Sequence, residues 1–340
     1  MSLRIAIRTD ASVEIGVGHA VRCLTLASAL RELGAQVTFA LGGSHSAGHT
    51  LVANAGFPIQ NVEKTHAPLK GQWDWAVIDH YDLDRRWEER ARLFAQRVFV
   101  IDDLANRPHA CDVLLDQNLF EAMGERYAKL VHPSCEQLYG PKFALIRPEF
   151  QTARAHLKKR AGKRVDRVLV SYGGTDPYNA TVRVLDALAR LPSCPFAIDV
   201  VIGSSNPHRE EVAAKCALLK TAHLIVQSEK MAALMADSDL ALGAAGSSTW
   251  ERACLGLPTL TLSLTPSQEE IAQAVVSVGA AAHMGKFQEL SSGDIARAIE
   301  RAVSDGPLRA QMEERALALV DGEGATRVAK RLMALAASAP

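Results

Sequence analysis

Residues 3–34 read LRIAIRTDASVEIGVGHAVRCLTLASALRELG and set the pattern for the whole chain. The apolar run at 3–8 predicts a buried strand, and the segment containing Gly16 and Gly18 predicts a loop. The next residues predict an amphipathic helix, because apolar side chains recur at spacings of three and four: Cys23, Leu26, Ala27, Leu30 and Leu33. Gly34 is placed to end this helix. A strand that leads through a loop into a helix is typical of a parallel sheet covered by helices.

The same alternation of short apolar runs and helical patterns continues along the chain. Strands of a first sheet are predicted at 3–8, 36–41, 75–79 and 98–102. Strands of a second sheet are predicted at 167–172, 196–202, 223–226, 240–244 and 258–262. We therefore expect an α/β protein with two Rossmann-like domains, which agrees with a length of 340 residues.

The expected boundary between the domains is a basic, polar segment at 151–166. Its basic side chains include His156, Lys158, Lys159, Arg160, Lys163 and Arg164. The simplest interpretation is a solvated linker, and the alternative is a surface that contacts an anionic membrane. The domains are then 1–150 and 167–322, and a C-terminal helix within 323–340 could cross back to the first domain.

Composition narrows the possible partners. Lys plus Arg and Asp plus Glu both number 38, so the chain lacks the basic excess that a nucleic-acid partner requires. The first residues lack the pattern of a signal peptide, and no apolar run has membrane-spanning length. The six cysteines form no C-x-x-C pair, which favours reduced, buried thiols. We expect a cytoplasmic protein without nucleic-acid partner or stable membrane insertion, and its oligomeric state stays open.

Three loops rich in Gly, Ser and Thr follow predicted strands. One loop runs from Arg8 to His19, and the other two are in the second half: Gly173, Gly174 and Thr175, and Gly246, Ser247, Ser248 and Thr249. Each could be only a tight strand–helix connection. None fits a dinucleotide fingerprint or a Walker motif. Two such loops in one half predict a diphosphate cradle, because they bring backbone amides close to an anion.

Glu251, in the first turn of the helix that follows the third loop, has two interpretations. Its carboxylate could accept both hydroxyls of a ribose. Alternatively, it could simply favour the positive end of the helix dipole. The residues themselves do not separate the two.

His19 is the most suggestive single residue. It opens a helix, where the positive end of the dipole disfavours a protonated ring, and a neutral imidazole is suited to act as a general base. The alternative is a histidine that only bonds nearby backbone. Polar residues end two of the predicted strands: Asp79, His80 and Tyr81 end one, and Asp102 and Asp103 end the next. Their side chains could hydrogen-bond to sugar hydroxyls, orient His19, or cap the elements that follow. Their spacing compels no metal site, and we expect neither metal nor cofactor.

Motifs in order along most of the chain resemble a known enzyme family. In the first half they are Arg8-Thr9-Asp10, Ile15-Gly16-Val17-Gly18-His19, Arg22-Cys23-Leu24, Ile78-Asp79-His80-Tyr81, Asp102-Asp103 and Tyr139-Gly140. In the second half they are Gly173-Gly174-Thr175-Asp176, Ser204-Ser205-Asn206-Pro207, Ser247-Ser248 with Glu251, and Gln268-Glu269. The sequence resembles the UDP-2,4-diacetamido-2,4,6-trideoxy-beta-L-altropyranose hydrolases of pseudaminic acid biosynthesis. These enzymes are similar in fold to the GT-B glycosyltransferases.

The resemblance implies two Rossmann-like domains that face each other across a cleft, with UDP on the second domain and the sugar projecting toward the first. It implies that His19 is the catalytic base and Glu251 the ribose ligand. We expect the catalytic group to comprise His19, Asp10 and Tyr81. We expect UDP to contact Gly173, Gly174, Thr175, Gly246, Ser247, Ser248, Thr249 and Glu251. We expect the sugar to contact Gly16, Gly18, Asp79, His80, Asp103, Gln268 and Glu269.

The expected reaction is metal-independent attack of water on the anomeric carbon of a UDP-linked deoxyamino sugar, with inversion and release of UDP. Two alternatives remain. A glycosyltransferase would use the same donor site and pass the sugar to an acceptor, and a non-catalytic sensor would bind the UDP-sugar without turnover.

Overall fold

The computed structural model describes residues 2–10, 18–43, 47–158, 160 and 162–338. The chain divides into two compact units. Unit 1 consists of Met1–Pro148 and Gly322–Pro340, and unit 2 of Glu149–Asp321. Within the described residues, no helix is long and apolar enough to cross a membrane.

Unit 1 is built on a parallel sheet of seven strands in the order β3-β2-β1-β4-β5-β6-β7. The strands are β1 (Arg4–Thr9), β2 (Gln36–Gly42), β3 (Ile59–Val62), β4 (Trp73–Asp79), β5 (Ala95–Ile101), β6 (Val113–Asp116) and β7 (Glu136–Tyr139). Its helices are α1 (Gly18–Glu32), α2 (Ala47–Asn54), α3 (Arg85–Ala91), α4 (Met123–Arg126) and α13 (Gly324–Ala337).

Helix α1 buries most of the face that the sequence pattern predicts; the exception is Leu33, which follows the end of the helix and is exposed. Cys23, Leu26 and Leu30 are fully buried on it, and they share one core with Val328 and Leu332 of α13. Gly324 begins α13 where a Cβ atom would collide with the backbone of residue 144, so the close approach requires glycine. The last helix is therefore part of the core of unit 1.

Unit 2 is built on a parallel sheet of six strands in the order β10-β9-β8-β11-β12-β13. The strands are β8 (Arg167–Ser171), β9 (Ala197–Ile202), β10 (Ala222–Val226), β11 (Leu240–Ala244), β12 (Thr259–Ser263) and β13 (Ala282–Lys286). The helices are α5 (Pro148–Ala155), α6 (Ala180–Leu188), α7 (Arg209–Leu218), α8 (Met231–Asp237), α9 (Ser248–Cys254), α10 (Pro266–Ser277), α11 (Ser292–Ser304) and α12 (Gly306–Leu319). Strands β11 and β12 are buried at every position, as expected of parallel strands covered on both sides.

The predicted fold class is confirmed, and all nine predicted strands are present. Four further strands were not predicted: β3, β6, β7 and β13. They have four or five residues each. Three of them, β3, β7 and β13, are only partly buried and lack a continuous apolar run. The last of them also carries the polar residues His283 and Lys286.

The segment at 151–166 differs from a solvated linker in two places: residues 151–155 belong to α5, where Arg154 donates to backbone carbonyls, and Arg160 is buried. The guanidinium of Arg160 is buried and donates to the carbonyl oxygens of Ser238, Leu255, Met235 and Ala236 at 2.7–2.9 Å. These oxygens lie at the C-terminal ends of α8 and α9, where a helix leaves carbonyls without intrahelical donors. Burial lowers the pKa of Arg160. One cation of the basic segment thus closes two helix ends instead of facing solvent.

Replacing Arg160 with Met is expected to lower the free energy of unfolding by about 3–5 kcal/mol, because buried carbonyls lose their donors. Urea unfolding followed by circular dichroism measures the effect. Arg164, which is exposed and pairs with Asp166, provides the matched control. Its replacement with Met should change stability by less than about 0.5 kcal/mol. Equal unfolding midpoints for the two variants would contradict this role of Arg160.

Candidate active site

The candidate site of unit 1 lies where two central strands end. Thr9 of β1 and Asp79 of β4 are register partners at the carboxyl edge of the sheet. The strand order changes direction between β1 and β4, and in open parallel sheets such a switch point is where ligands bind. Helix α1 begins at Gly18, so the same edge also receives His19.

His19 is held by a buried carboxylate. Its Nδ1 atom lies 2.5 Å from Oδ1 of Asp79. Two such atoms approach this closely only with a proton between them, so Nδ1 carries the hydrogen and donates to the carboxylate. When the ring is neutral, Nε2 then has a lone pair that can accept a proton. The edge of the imidazole packs against the ring of Tyr81, with centroids 4.6 Å apart.

Asp79 is kept ionised by its neighbours. It is buried, which alone would raise its pKa, but the charges and hydrogen bonds of Arg22 and His19 outweigh burial and lower the pKa well below its usual range. Arg22 donates from Nε to Oδ2 and from Nη2 to Oδ1, both at 2.6 Å. Of the roles considered for Asp79, this burial favours orienting His19 over contacting a sugar, because no carboxylate oxygen faces solvent.

Asp10 has a different environment from the one expected of a catalytic carboxylate. Its oxygens accept two bonds from Arg8, one from Nε2 of His80 and one from the amide of Gly42, at 2.6–3.0 Å. These four bonds occupy the lone pairs of the carboxylate. They also hold the pKa of Asp10 below its usual range, against the opposing effect of burial. Asp10 is thus better placed to anchor the ends of β1 and β2 than to hold a water molecule.

His80 has a defined tautomer. Its Nδ1 accepts from the amide of Asp82 at 3.1 Å, so Nε2 carries the hydrogen that Asp10 accepts. Asp10, His19, Asp79, His80, Tyr81 and Asp82 together line a cavity of about 90 Å³. The cavity has room for more than one water molecule and is lined by polar partners.

Asp103 connects Tyr81 with Arg22. Its Oδ1 accepts from the hydroxyl of Tyr81 and its Oδ2 from Nη1 of Arg22, each at 3.0 Å. Burial and the adjacent carboxylate raise the pKa of Tyr81. The phenol therefore keeps its proton, which favours a role for Tyr81 in shaping the cavity over one in proton transfer.

A buried ionic cluster holds the loop that carries Asp103. Asp102 accepts from Arg107 at 2.8 Å and from the hydroxyl of Tyr127 at 2.9 Å. His109 lies between Asp102 and Glu88. Burial alone would lower the pKa of His109, but these two carboxylates raise it to about 9. Asp102 is thus an anchor beneath the site.

In unit 2, the first glycine loop follows β8. Gly173 has a φ of +97°, a left-handed conformation that favours glycine. The carbonyl of Gly174 accepts from the amide of Gly203 at 2.8 Å, an approach that a Cβ on Gly203 would block. Thr175 is followed by Asp176, whose carboxylate caps α6 through the amides of residues 180 and 181. Local contacts therefore fix the conformation of this loop.

The second glycine loop, with Gly246 and Ser247, leads into α9 and is braced by a residue that sequence analysis missed. Buried Arg252 donates to Ser248 Oγ at 2.8 Å, to Thr249 Oγ1 at 3.1 Å and to the carbonyl of Ala244 at 2.7 Å. Burial lowers its pKa to about 10. The spacing of four residues from Ser248 was the available signal, since it places Arg252 on the same helix face.

Gln268 and Glu269 lie in the first turn of α10. The side-chain oxygen of Gln268 accepts from the amide of Leu264 at 3.0 Å, and its nitrogen approaches Gly246. Glu269 pairs with Lys286 at 3.2 Å. The structure thus brings Gln268 beside the second glycine loop, and Glu251 lies in the first turn of α9, the helix that follows the same loop.

Most of the predicted site residues of unit 1 form one cluster: Asp10, Gly18, His19, Asp79, His80, Tyr81 and Asp103. Gly16 lies outside the described residues. Arg22 received no role from the sequence, although its spacing of three from His19 indicates a shared helix face. Within the described residues, no three His, Cys, Asp or Glu side chains are arranged to hold a metal ion.

No protein-family model matches the chain. The spore coat polysaccharide biosynthesis protein SpsG of Bacillus subtilis is 32% identical over 190 residues, which are 56% of each chain. The uncharacterized protein MJ1062 of Methanocaldococcus jannaschii is 24% identical over 84% of this chain, and this chain spans 61% of its length. The UDP-2,4-diacetamido-2,4,6-trideoxy-beta-L-altropyranose hydrolase of Campylobacter jejuni is 27% identical over 82% of this chain and 97% of its own.

Solved structures match across nearly the whole chain. MurG of Acinetobacter baumannii superposes with a TM-score of 0.68 at 14% identity, covering 98% of this chain and 99% of its own. A complex of Staphylococcus aureus MnaA with UDP also has a TM-score of 0.68 at 14% identity, covering 99% of both chains. The chain therefore has a GT-B-like fold. The predicted resemblance to the UDP-diacetamido-trideoxy-altropyranose hydrolase is confirmed as a sequence similarity that covers four-fifths of this chain.

Proposed function

We propose that the protein is an enzyme that hydrolyses a UDP-linked deoxyamino sugar. The observation that carries the proposal is the His19–Asp79 pair, which leaves Nε2 as the proton acceptor of a histidine that lines a cavity of about 90 Å³. The similar Campylobacter protein, named as a hydrolase of UDP-2,4-diacetamido-2,4,6-trideoxy-beta-L-altropyranose, supports this substrate. The proposal includes a place in pseudaminic acid biosynthesis, as the sequence motifs imply.

In the proposed reaction, Nε2 of His19 removes a proton from water as the water oxygen attacks the anomeric carbon. The bond between that carbon and the UDP oxygen breaks, and UDP leaves with the bonding electron pair. Attack opposite the leaving group inverts the configuration. Asp79 stabilises the imidazolium that forms, and His19 later releases its proton to solvent. No metal ion enters this scheme.

The UDP half of the substrate is assigned to unit 2. Backbone amides at Gly173, Gly174 and Thr175 and at 246–249 would bind the diphosphate, where charge develops as UDP leaves. Arg252 supports this assignment because it donates to the hydroxyls of Ser248 and Thr249 and so fixes their positions. Gln268 and Glu269 are assigned to the sugar, together with Gly18, His80 and the ring of Tyr81.

A glycosyltransferase with the same donor site is the nearest alternative. Incubating the protein with the UDP-sugar and no acceptor distinguishes the two activities. A hydrolase then releases UDP at its full rate, whereas a transferase releases it only slowly. A series of UDP-linked diacetamido-trideoxy sugars then identifies the preferred configuration. Tight binding without any release would instead favour a sensor.

Replacing Glu251 with Gln is expected to weaken UDP binding by about 10- to 100-fold, because charge-assisted bonds to two ribose hydroxyls are lost. The turnover number should change much less. Isothermal titration with UDP measures the dissociation constant. The matched control is Glu314→Gln, a change at an exposed residue of α12 in the same unit. Equal affinity for UDP in both variants would remove Glu251 from the ribose site.

A further inference from the structure

Arg22 is a buried cation to which the proposed mechanism gives no role. It lies on α1, one turn after His19, and its side chain is 10% exposed. A fully hydrogen-bonded arginine could serve packing alone. The identity of its partners argues for more than packing, because both carboxylates that it binds also hold groups next to the imidazole.

The first partner is the carboxylate that orients His19. Arg22 binds both oxygens of Asp79 through Nε and Nη2, and Nη2 lies 3.1 Å from Nδ1 of His19. This two-point contact fixes the plane of the carboxylate. The direction of the Nδ1–H bond, and therefore the direction in which Nε2 points, depends on that plane.

The second partner, Asp103, acts on His19 through Tyr81. Nη1 of Arg22 donates to Asp103, which accepts the hydroxyl of Tyr81, and the ring of Tyr81 packs on the imidazole. One guanidinium therefore anchors both the carboxylate and the aromatic ring that contact His19.

Charge adds a second consequence. A buried carboxylate next to an imidazole favours the imidazolium, which cannot accept a proton from water. Arg22 offsets the charge of Asp79 at contact distance. The other described titratable groups around His19 are the phenol of Tyr81, the Asp10–His80 pair and the carboxylate of Asp82 at the same cavity, and the thiol of Cys23 on Asp79. The thiol stays protonated because burial raises its pKa. Among these groups, Arg22 is the cation in direct contact with Asp79.

We infer that Arg22 is a positioning residue for His19: it holds Asp79 and Asp103 together and offsets the charge of Asp79 beside the imidazole. This inference rests on the proposed function, because it assigns Arg22 to the same general base. It predicts that loss of Arg22 is an acid-sensitive defect: activity at neutral pH is lost and partly returns at higher pH.

The test compares Arg22→Gln and Arg22→Lys with Arg31→Gln, a control on the exposed face of the same helix. The first measurement is kcat and KM for UDP release against pH. The second is the titration of His19 in the free protein, followed by nitrogen-15 NMR of its imidazole. The second measurement needs no substrate, so it decides the inference even if the proposed reaction is wrong.

For Arg22→Gln, the acid limb of the pH profile should move upward by about one unit or more. The turnover number at pH 7 should fall about 100-fold, with KM changed less than about threefold. The imidazole titration should move in the same direction. Arg22→Lys, which keeps the charge but not the two-point contact, should lie between this variant and wild type. It also serves as the test if the Gln variant does not fold.

The inference is overturned if the NMR titration and the acid limb stay at their wild-type positions in the Arg22 variants, including when activity falls equally at every pH. The proposed function fails separately if wild-type protein releases no UDP from any UDP-sugar of the series.

Discussion

Replacing His19 with Asn is expected to lower the turnover number for UDP release by about 10²- to 10⁴-fold, the usual contribution of a general base. The amide keeps much of the shape of the ring near Asp79 but cannot take a proton from water. UDP binding should stay within about twofold, because UDP is assigned to unit 2. Release of UDP followed by a coupled assay and titration with UDP provide the two measurements.

His132→Asn is the matched control, since His132 is an exposed histidine of unit 1. It should leave both quantities unchanged. Normal turnover in the His19 variant, with binding intact, would exclude His19 as the base.

Replacing Asp79 with Asn is expected to reduce turnover by a similar factor, about 10²- to 10⁴-fold, for a different reason. An amide nitrogen facing Nδ1 of His19 would donate to it, which moves the ring proton to Nε2 and removes the acceptor lone pair. Arg22 would also lose the negative charge that its Nε and Nη2 atoms contact. The free energy of unfolding should therefore fall by about 3–5 kcal/mol.

Nitrogen-15 NMR of the His19 ring distinguishes the tautomers, and urea unfolding measures the stability. Asp166→Asn, at an exposed ion pair of unit 2, is the control for both. If the Asp79 variant kept the Nδ1–H tautomer and normal turnover, the carboxylate would not be needed to orient the base.

The sequence predicted the helix and strands that carry this site better than the hydrogen bonds between their side chains. The spacing of the apolar residues in α1 predicted the helix, and the glycines before it predicted where His19 would be presented. Parallel topology placed Asp79 at the same sheet edge. The choice between orienting His19 and contacting a sugar depends on side-chain directions at the ends of β1 and β4, and no spacing rule contains these directions.

The charged residues that the sequence left unassigned or placed in solvent share a physical property. Arg22, Arg160 and Arg252 are each buried by partners far away in sequence or by backbone carbonyls. A local pattern treats an arginine as exposed because its burial is rare unless it is paired. Asp10 shows the same difficulty, since four donors from three elements occupy its oxygens.

The central claim is that water, activated by His19, attacks the anomeric carbon. The most direct measurement is hydrolysis of the UDP-sugar in oxygen-18 water, with mass spectrometry of both products after a single turnover. The account predicts the label at the anomeric hydroxyl of the free sugar and unlabelled UDP. Label in UDP would instead mean attack at phosphorus, and would contradict the account.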